Sequence, residues 1–357
     1  MPLDRETLAG YLSERLARRV AVTDLVSFPR GTSRQTWFVT AREDDSGAVR
    51  DLTLRIDHPS GSIDPTPLEQ EYFVYERLAR SDVPVARVLW WEDEPRWVGR
   101  PFYIRERIEG DWRVSHFSDP DPRYDPLRIE LAREHLRKLA IVHQVDWQSL
   151  GFAARLPAPA SEADAAHNYV RILARQLATV SEEPMPLALE ACEWLHQHAP
   201  VAPRLCLCKG TNGYGEEVFR SGRIVAMSDW EEVSIGDPAA DFAFMQGFLQ
   251  PIKRDGIALW GLPQALDYYR SVSGIAVTAE AVGYYQVIRC VRLIVLSHNS
   301  GAAVRRPGGT VRQAWTGTEV LHMARHVVAS AMGLVEPCSA ERFGELNLTV
   351  EDTEAAA

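Results

Sequence analysis

The sequence predicts an α+β chain in two lobes, a small antiparallel sheet followed by a larger helical part. Three observations carry this. Between Val22 and Asp57, short runs rich in Val, Thr, Trp, Phe and Leu are separated by turn-forming residues. From Gly110 onward, apolar residues recur at helical spacing. At 357 residues the chain is long enough for one large core or for two lobes sharing a cleft.

The elements follow in order. Leu8, Leu12 and Leu16 repeat every four residues and predict an amphipathic helix. Val22–Phe28, Gln35–Ala41 and Asp51–Asp57 predict three antiparallel strands, with turns at Pro29–Ser33 and Glu43–Gly47. A helix from Leu68 to Ser81 carries Tyr72, Tyr75 and Leu78 on one face, and two further strands follow in VPVARVLWWED and RPFYIRERI. Helices are predicted over Leu131–His143, Asn168–Val180, Leu187–His198, Tyr285–Ser297 and Thr318–Met332. A strand pair, Arg204–Leu207 with Ile224–Ser228, is expected to bracket a loop. Asn299–Gln313 is rich in Gly and Arg and reads as a mobile stretch. The division expected is residues 1–105, residues 106–337, and a flexible tail over 338–357.

Composition excludes several classes. A formal net charge of -10 argues against nucleic acid or an anionic membrane as the main partner, since both need a basic face. No run of about 20 apolar residues is evident for a membrane span. The first twenty residues hold acids and no apolar signal segment. Five scattered cysteines do not make a disulfide framework. The expectation is a cytoplasmic protein of unspecified oligomeric state.

The residues that carry chemistry lie in a few runs. Ile224–Met227 is a buried strand, and Asp229 emerges at its C-terminal end, where a carboxylate can hold a divalent cation. Gly236-Asp237-Pro238 and Asp241 follow, and single dipeptides of this kind are otherwise only turn residues. Gly31, Thr32 and Ser33 lie between the first two strands and can offer N–H and hydroxyl donors to phosphate, or simply close a hairpin. Arg55 on the third strand and Glu71 on the following helix match a cation and the acid that orients it. A surface Arg and a solvated Glu are the bland alternative. His196, His198, Cys206 and Cys208 have spacings that poorly fit a metal site, so the cysteines are expected on a buried strand.

In this order the runs resemble the aminoglycoside phosphotransferase and choline-kinase-like family, of protein-kinase-like fold. AMSDWEEVSIGDPAADFAF is the strongest part of the resemblance, which spans Val22 to Leu296. It implies Mg²⁺ with ATP or GTP, and a small-molecule substrate. It implies Asp229 as a metal ligand and Asp241 as an acceptor for loop N–H groups. Gly31, Thr32, Ser33, Arg55 and Glu71 are then the phosphate-side residues. The run Glu106–Gly110 is similar to the family's hinge, with Glu106 and Ile108 at the purine edge, and His143 is a packed structural histidine. Trp112, Tyr169, Tyr284 and Tyr285 are candidates to line an acceptor pocket, or core residues.

The resemblance breaks at the catalytic loop. The family's His-Gly-Asp and its later Asn fall on Lys209-Gly210-Thr211 and Glu216, and no aspartate occurs between Asp164 and Asp229. Threonine cannot usefully accept a proton near neutral pH. Glutamate is a hard oxygen ligand and can bind Mg²⁺ beside Asp229. Three outcomes stay open: phosphotransfer with Glu216 or Glu217 as displaced base; a different reaction centred on Lys209, Thr211 and Glu216; or a pseudokinase that binds nucleotide or metabolite.

Overall fold

The computed structural model describes residues 3–28, 31, 33–180 and 184–336. The expectations for Thr32 and for the tail over 338–357 lie outside the described residues.

The first lobe is a five-stranded antiparallel sheet in the order β1-β2-β3-β5-β4. Its strands are β1 (Val20–Phe28), β2 (Arg34–Glu43), β3 (Val49–Asp57), β4 (Val88–Glu92) and β5 (Phe102–Glu106). Alternation along β3 decides its two faces. Leu52, Leu54 and Ile56 are buried in a cluster with Val39, Phe102 and Ile104. Thr53 and Arg55 face the opposite way and line a cleft. Helix α1 (Arg5–Leu16) starts on Asp4, whose carboxylate accepts from the Thr7 N–H at 2.8 Å. It adds Leu8, Tyr11 and Leu12 to the same cluster, with Leu16 only packed at its margin.

Helix α2 (Leu68–Leu78) ends three residues short of its expected end. It buries Val74, Tyr75 and Leu78 in the larger core with Leu139 and Ile288, so it ties the sheet to the helices. The one-turn helix α3 (Pro95–Val98) precedes β5.

The second lobe is helical: α4 (Asp125–His143), α5 (Ala165–Val180) and α6 (Pro186–Gln197) come first. Four short strands follow, β6 (Cys206–Cys208), β7 (Glu217–Arg220), β8 (Arg223–Met227) and β9 (Ser234–Gly236). The expected pairing of the first with the third is corrected here. Strand β6 pairs with β9, and β7 pairs with β8 through the tight Ser221-Gly222 turn. Next come α7 (Ala239–Phe242), α8 (Gln246–Leu249), the hairpin β10 (Ile252–Arg254) with β11 (Ile257–Trp260), and α9 (Leu262–Ser273). The chain closes with α10 (Ala279–Val304), α11 (Val311–Trp315) and α12 (Leu321–Ala331).

Helix α10 corrects the expectation about apolar length. It is the one helix among the described residues long and apolar enough to cross a membrane, and 67% of that window is buried. It is the central core helix of this lobe, contributing Tyr285, Ile288, Val291 and Val295. Tyr284 and Tyr285 are core residues too, the former donating to the Leu195 carbonyl at 2.9 Å.

The stretch Asn299–Gln313, read as mobile, is tied to the loop after β3. Asn299 donates to the Ile63 carbonyl at 2.9 Å, and the Gln313 amide to Ser60 at 3.1 Å. Thr310 and Gln313 form a capping box that starts α11. The missed signal is that box, T-x-x-Q, hidden by the glycines before it.

The same loop carries an ionic tie between lobes. Asp64 meets Arg292 of α10 at 2.6 Å, and Arg292 also lies 3.1 Å from Glu232. All three are buried. Breaking a buried pair on one side leaves uncompensated charge, which costs about 3–5 kcal/mol. Arg292→Met is therefore expected to lower unfolding free energy by that order in urea denaturation. A loss under ~1 kcal/mol, the worth of an exposed pair, would show the tie to be dispensable.

Candidate active site

The cleft between the lobes has a volume of about 820 Å³ and draws residues from the sheet, α2, the hinge and the loops around β7 and β8. Its centre is a buried ionic cluster. Arg55 Nη2 lies 3.2 Å from Glu71 and 3.4 Å from Asp229. Arg34, the first residue of β2, lies 3.3 Å from Glu71, 3.0 Å from Glu231 and 3.0 Å from Asp57. Burial opposes ionisation of Glu71, but Arg55 and Arg34 outweigh it and hold its carboxyl below the ordinary value.

Asp229 is placed by its neighbour. Trp230 is fully buried and donates its indole N–H to the Met227 carbonyl at 3.1 Å. The turn this demands puts Asp229 at φ +65°, a region that side chains rarely adopt outside functional turns. The carboxylate is thereby presented to the cleft beside Glu216. Burial, then the Asp229 charge, pushes the Glu216 carboxyl up to about 8.

Below the cleft, Asp241 fixes the loop from Lys209 to Asn212. Its carboxylate accepts from the backbone N–H groups of Lys209 at 2.8 Å and Gly210 at 2.6 Å, and from the Asn212 amide at 2.9 Å. His143, fully buried, bridges Asp241 at 2.8 Å and the Tyr269 hydroxyl at 2.6 Å. Gly210 has φ +85°, and a Cβ there would lie 2.5 Å from the Glu232 carbonyl, so no larger residue fits.

Lys209 does not reach the cleft. It is fully buried, with its ammonium on the Thr211 carbonyl and 3.3 Å from Glu217 Oε1. Burial, partly offset by Lys209, raises Glu217 to about 7. The lysine is thus engaged in a buried salt bridge with Glu217. Thr211 lines the cleft, but its hydroxyl donates to the Asp229 carbonyl.

The remaining expected residues divide. Gly31, Ser33 and Ile108 line the cleft. A Cβ on Gly31 would run into the Arg34 carbonyl, so the glycine is required for this close approach. Ser33 Oγ lies 2.8 Å from both carboxylate oxygens of Glu231. Glu106 is turned away, its carboxylate 2.7 Å from Arg87 and its N–H given to the Arg87 carbonyl. Trp112 lines the cleft, while Tyr169 packs near Tyr285. Cys206 and Cys208 are buried on β6, as their spacing predicted.

With this geometry the phosphotransferase enzyme family matches the chain over residues 24–270. The chain belongs to that family. It is 26% identical over 286 residues to acyl-CoA dehydrogenase family member 10 of Mus musculus, covering 76% of this chain and 25% of that one. The chain thus spans about a quarter of the length of that relative. In fold it is similar to an aminoglycoside-phosphotransferase-type protein from Ralstonia eutropha JMP134, with TM-score 0.63, 20% identity, and 92% and 98% of the two chains covered. It is also similar to a thermostable mutant of aminoglycoside phosphotransferase APH(4)-Ia bound to AMP-PNP and hygromycin B, with TM-score 0.57, 14% identity, and coverage of 93% and 99%.

For a phosphotransferase-family chain, three residues of the buried ionic network escaped the sequence reading. Arg34 shares strand parity with Thr36 and Phe38, which both line the cleft; that parity was the available signal. Glu231 and Glu232 follow Asp229-Trp230 directly, and the sequence reading gave them no role. Instead Glu231 is held by Ser33 and Arg34, and Glu232 by Arg289 and Arg292.

The raised Glu216 has a consequence for stability. The folded chain holds that proton up to about 8, against 4.5 for an ordinary glutamate. Its contribution is therefore present at low pH and lost as pH climbs from about 4.5 through 8. In metal-free buffer the urea midpoint should fall over this range, and Glu216→Gln should flatten the fall. An unchanged slope in the variant would contradict the assignment.

Proposed function

We propose that the chain is a cytoplasmic small-molecule phosphotransferase whose cleft takes Mg²⁺ with ATP or GTP and moves phosphate to a hydroxyl without a base aspartate. The observation that carries the reading is the convergence of Arg55, Glu71, Asp229 and Glu216 in one cleft. Hard oxygen donors suit Mg²⁺. Here burial, and then the charge of Asp229, drives Glu216 to keep its proton, and a cation held by the two carboxyls would relieve both. The likeness to a structure holding AMP-PNP and hygromycin B supports a nucleotide and a small acceptor here.

In this reading Glu216 and Asp229 hold the metal, whose chemistry is to neutralise charge on the phosphate oxygens. Arg55, kept in place by Glu71, contacts the phosphates with the fork of its guanidinium. Gly31 and Ser33 cover them from the sheet side. Positioning and charge stabilisation account for most of phosphoryl transfer, and both survive. What is missing is proton acceptance from the hydroxyl. Thr211 is a donor to a backbone carbonyl, so transfer is slower by about 10²–10⁴-fold, the usual worth of a general base.

A second reading, a pseudokinase or metabolite-binding protein, is favoured by one observation. Thr211 and Lys209 are both engaged within the protein rather than offered to a substrate. A repurposed reaction centred on Lys209 draws no support from that burial.

Calorimetry of ATP and GTP with and without Mg²⁺ tests the proposal. Binding should need Mg²⁺, and Asp229→Ala should weaken it by about tenfold or more, the value of one charge-assisted contact. No binding under any condition removes the reading. If phosphate transfer to a hydroxyl library is then seen, its loss in a folded Glu216→Gln supports Glu216; full activity sinks that role.

A further inference from the structure

Glu216, Asp229, Glu231 and Glu232 line the catalytic end of the cleft, while the hinge end sets Arg105 and Arg107 beside Asp51 and Glu109. The two arginines are separated by Glu106, which faces Arg87, so both fall on the cleft side of an extended segment. Arg55 and Arg289, which also line the cleft, are paired with carboxylates. Among the described residues no carboxylate lies within ion-pair distance of Arg105. Its guanidinium lies over the Tyr75 ring at 5.3 Å.

The same end suits a flat ring. Phe28, Phe38 and Trp112 line it, with Phe28 5.3 Å from Trp112 and 5.5 Å from Phe38. Arg107 lies over the Phe38 ring at 4.3 Å. Asp51 and Glu109 supply carboxylates at this mouth.

We infer that the hinge end selects a 6-oxopurine, guanine rather than adenine, with Arg105 as the residue that reads it. The inference rests on the nucleotide reading above and adds the base. A guanidinium only donates. Guanine presents two adjacent acceptors, O6 and N7, which a guanidinium fork matches; adenine presents N7 beside an amino donor, so one N–H meets another. The carboxylates discriminate in the same direction. They can accept from guanine N1–H and its amino group, whereas adenine N1 is itself an acceptor. A bidentate contact of this kind distinguishes bases by roughly tenfold to a hundredfold.

The test is calorimetry of the full chain and of Arg105→Met with Mg-GTP, Mg-ATP and magnesium tripolyphosphate, with folding of both checked by thermal melting. The expected result is GTP bound at least about tenfold tighter than ATP, and a preference reduced to about twofold or less in Arg105→Met, mainly through weaker GTP binding. Equal affinities, an ATP preference, or a preference that survives Arg105→Met would overturn the base assignment and leave the nucleotide reading standing. Nucleotides bound no tighter than tripolyphosphate would overturn it as well, since the phosphates alone would be held. A folded wild type that binds neither nucleotide would remove the nucleotide reading itself, and the base with it.

Discussion

Glu71 is the charge on which the geometry of the cleft depends. It is almost fully buried on α2, and an isolated carboxylate in such a place costs several kcal/mol. The fold answers with two guanidiniums from adjacent strands, Arg34 and Arg55. Each then needs more than one partner, and finds it across the cleft on Glu231 and Asp229. The sheet, α2 and the segment after β8 are thus bound into one network, and no member can leave without exposing another charge. Arginine suits this better than lysine, because one planar fork can meet two carboxylates at once. The network also sets the phosphate-side loop, since Ser33 is bonded to the same Glu231.

A second anchor holds the loop from Lys209 to Asn212 in shape. Asp241 accepts from the main-chain N–H groups of Lys209 and Gly210, and these bonds are indifferent to what residue 209 or 211 carries. His143 and Tyr269 hold Asp241 from behind. The side chains at 209 and 211 were therefore free to turn inward. Lys209 pairs with Glu217 in the core, and Thr211 caps the Asp229 carbonyl. Form and side-chain identity are decoupled at this loop: bonds from main-chain N–H groups to Asp241 keep the first whatever residues 209 and 211 carry.

This decoupling also sets what the sequence could reveal. The sheet strands and the long helices were legible because period 2 and period 3.6 follow directly from burial on one face. Arg55 and Glu71 were legible as a pair because a strand cation and a crossing-helix acid sit at fixed places in the fold. The pairing of β6 with β9 was not, since two three-residue strands carry too little pattern to choose partners. The direction of the Lys209 side chain was equally hidden. A lysine in a polar, glycine-rich loop can turn either way, and the buried Glu217 and the Thr211 carbonyl hold this one inward. Helix α10 misled in the opposite sense, because its arginines break the apolar run while pairing inside the protein with Asp64 and Glu232.

On the reading proposed above, Thr211 and Glu216 differ in what electrostatics lets them do: Thr211 brings no charge to the catalytic end, whereas Glu216 holds a proton that a bound cation could displace. The acids at that end outnumber the cations facing them, and burial already drives Glu216 and Glu231 above their ordinary values. A polyphosphate entering alone would add charge of the same sign and be repelled. On the reading proposed above, a divalent cation is then a condition for phosphate to enter rather than an aid to a step already under way. The same cation would let Glu216 ionise, turning a destabilised carboxyl into a ligand. The hinge end, where Arg105 and Arg107 stand beside Asp51 and Glu109, carries no such excess of acid, so on the same reading base recognition does not depend on the cation that phosphate binding needs. Nucleotide affinity should then follow the metal through the phosphates, while the choice between bases should not.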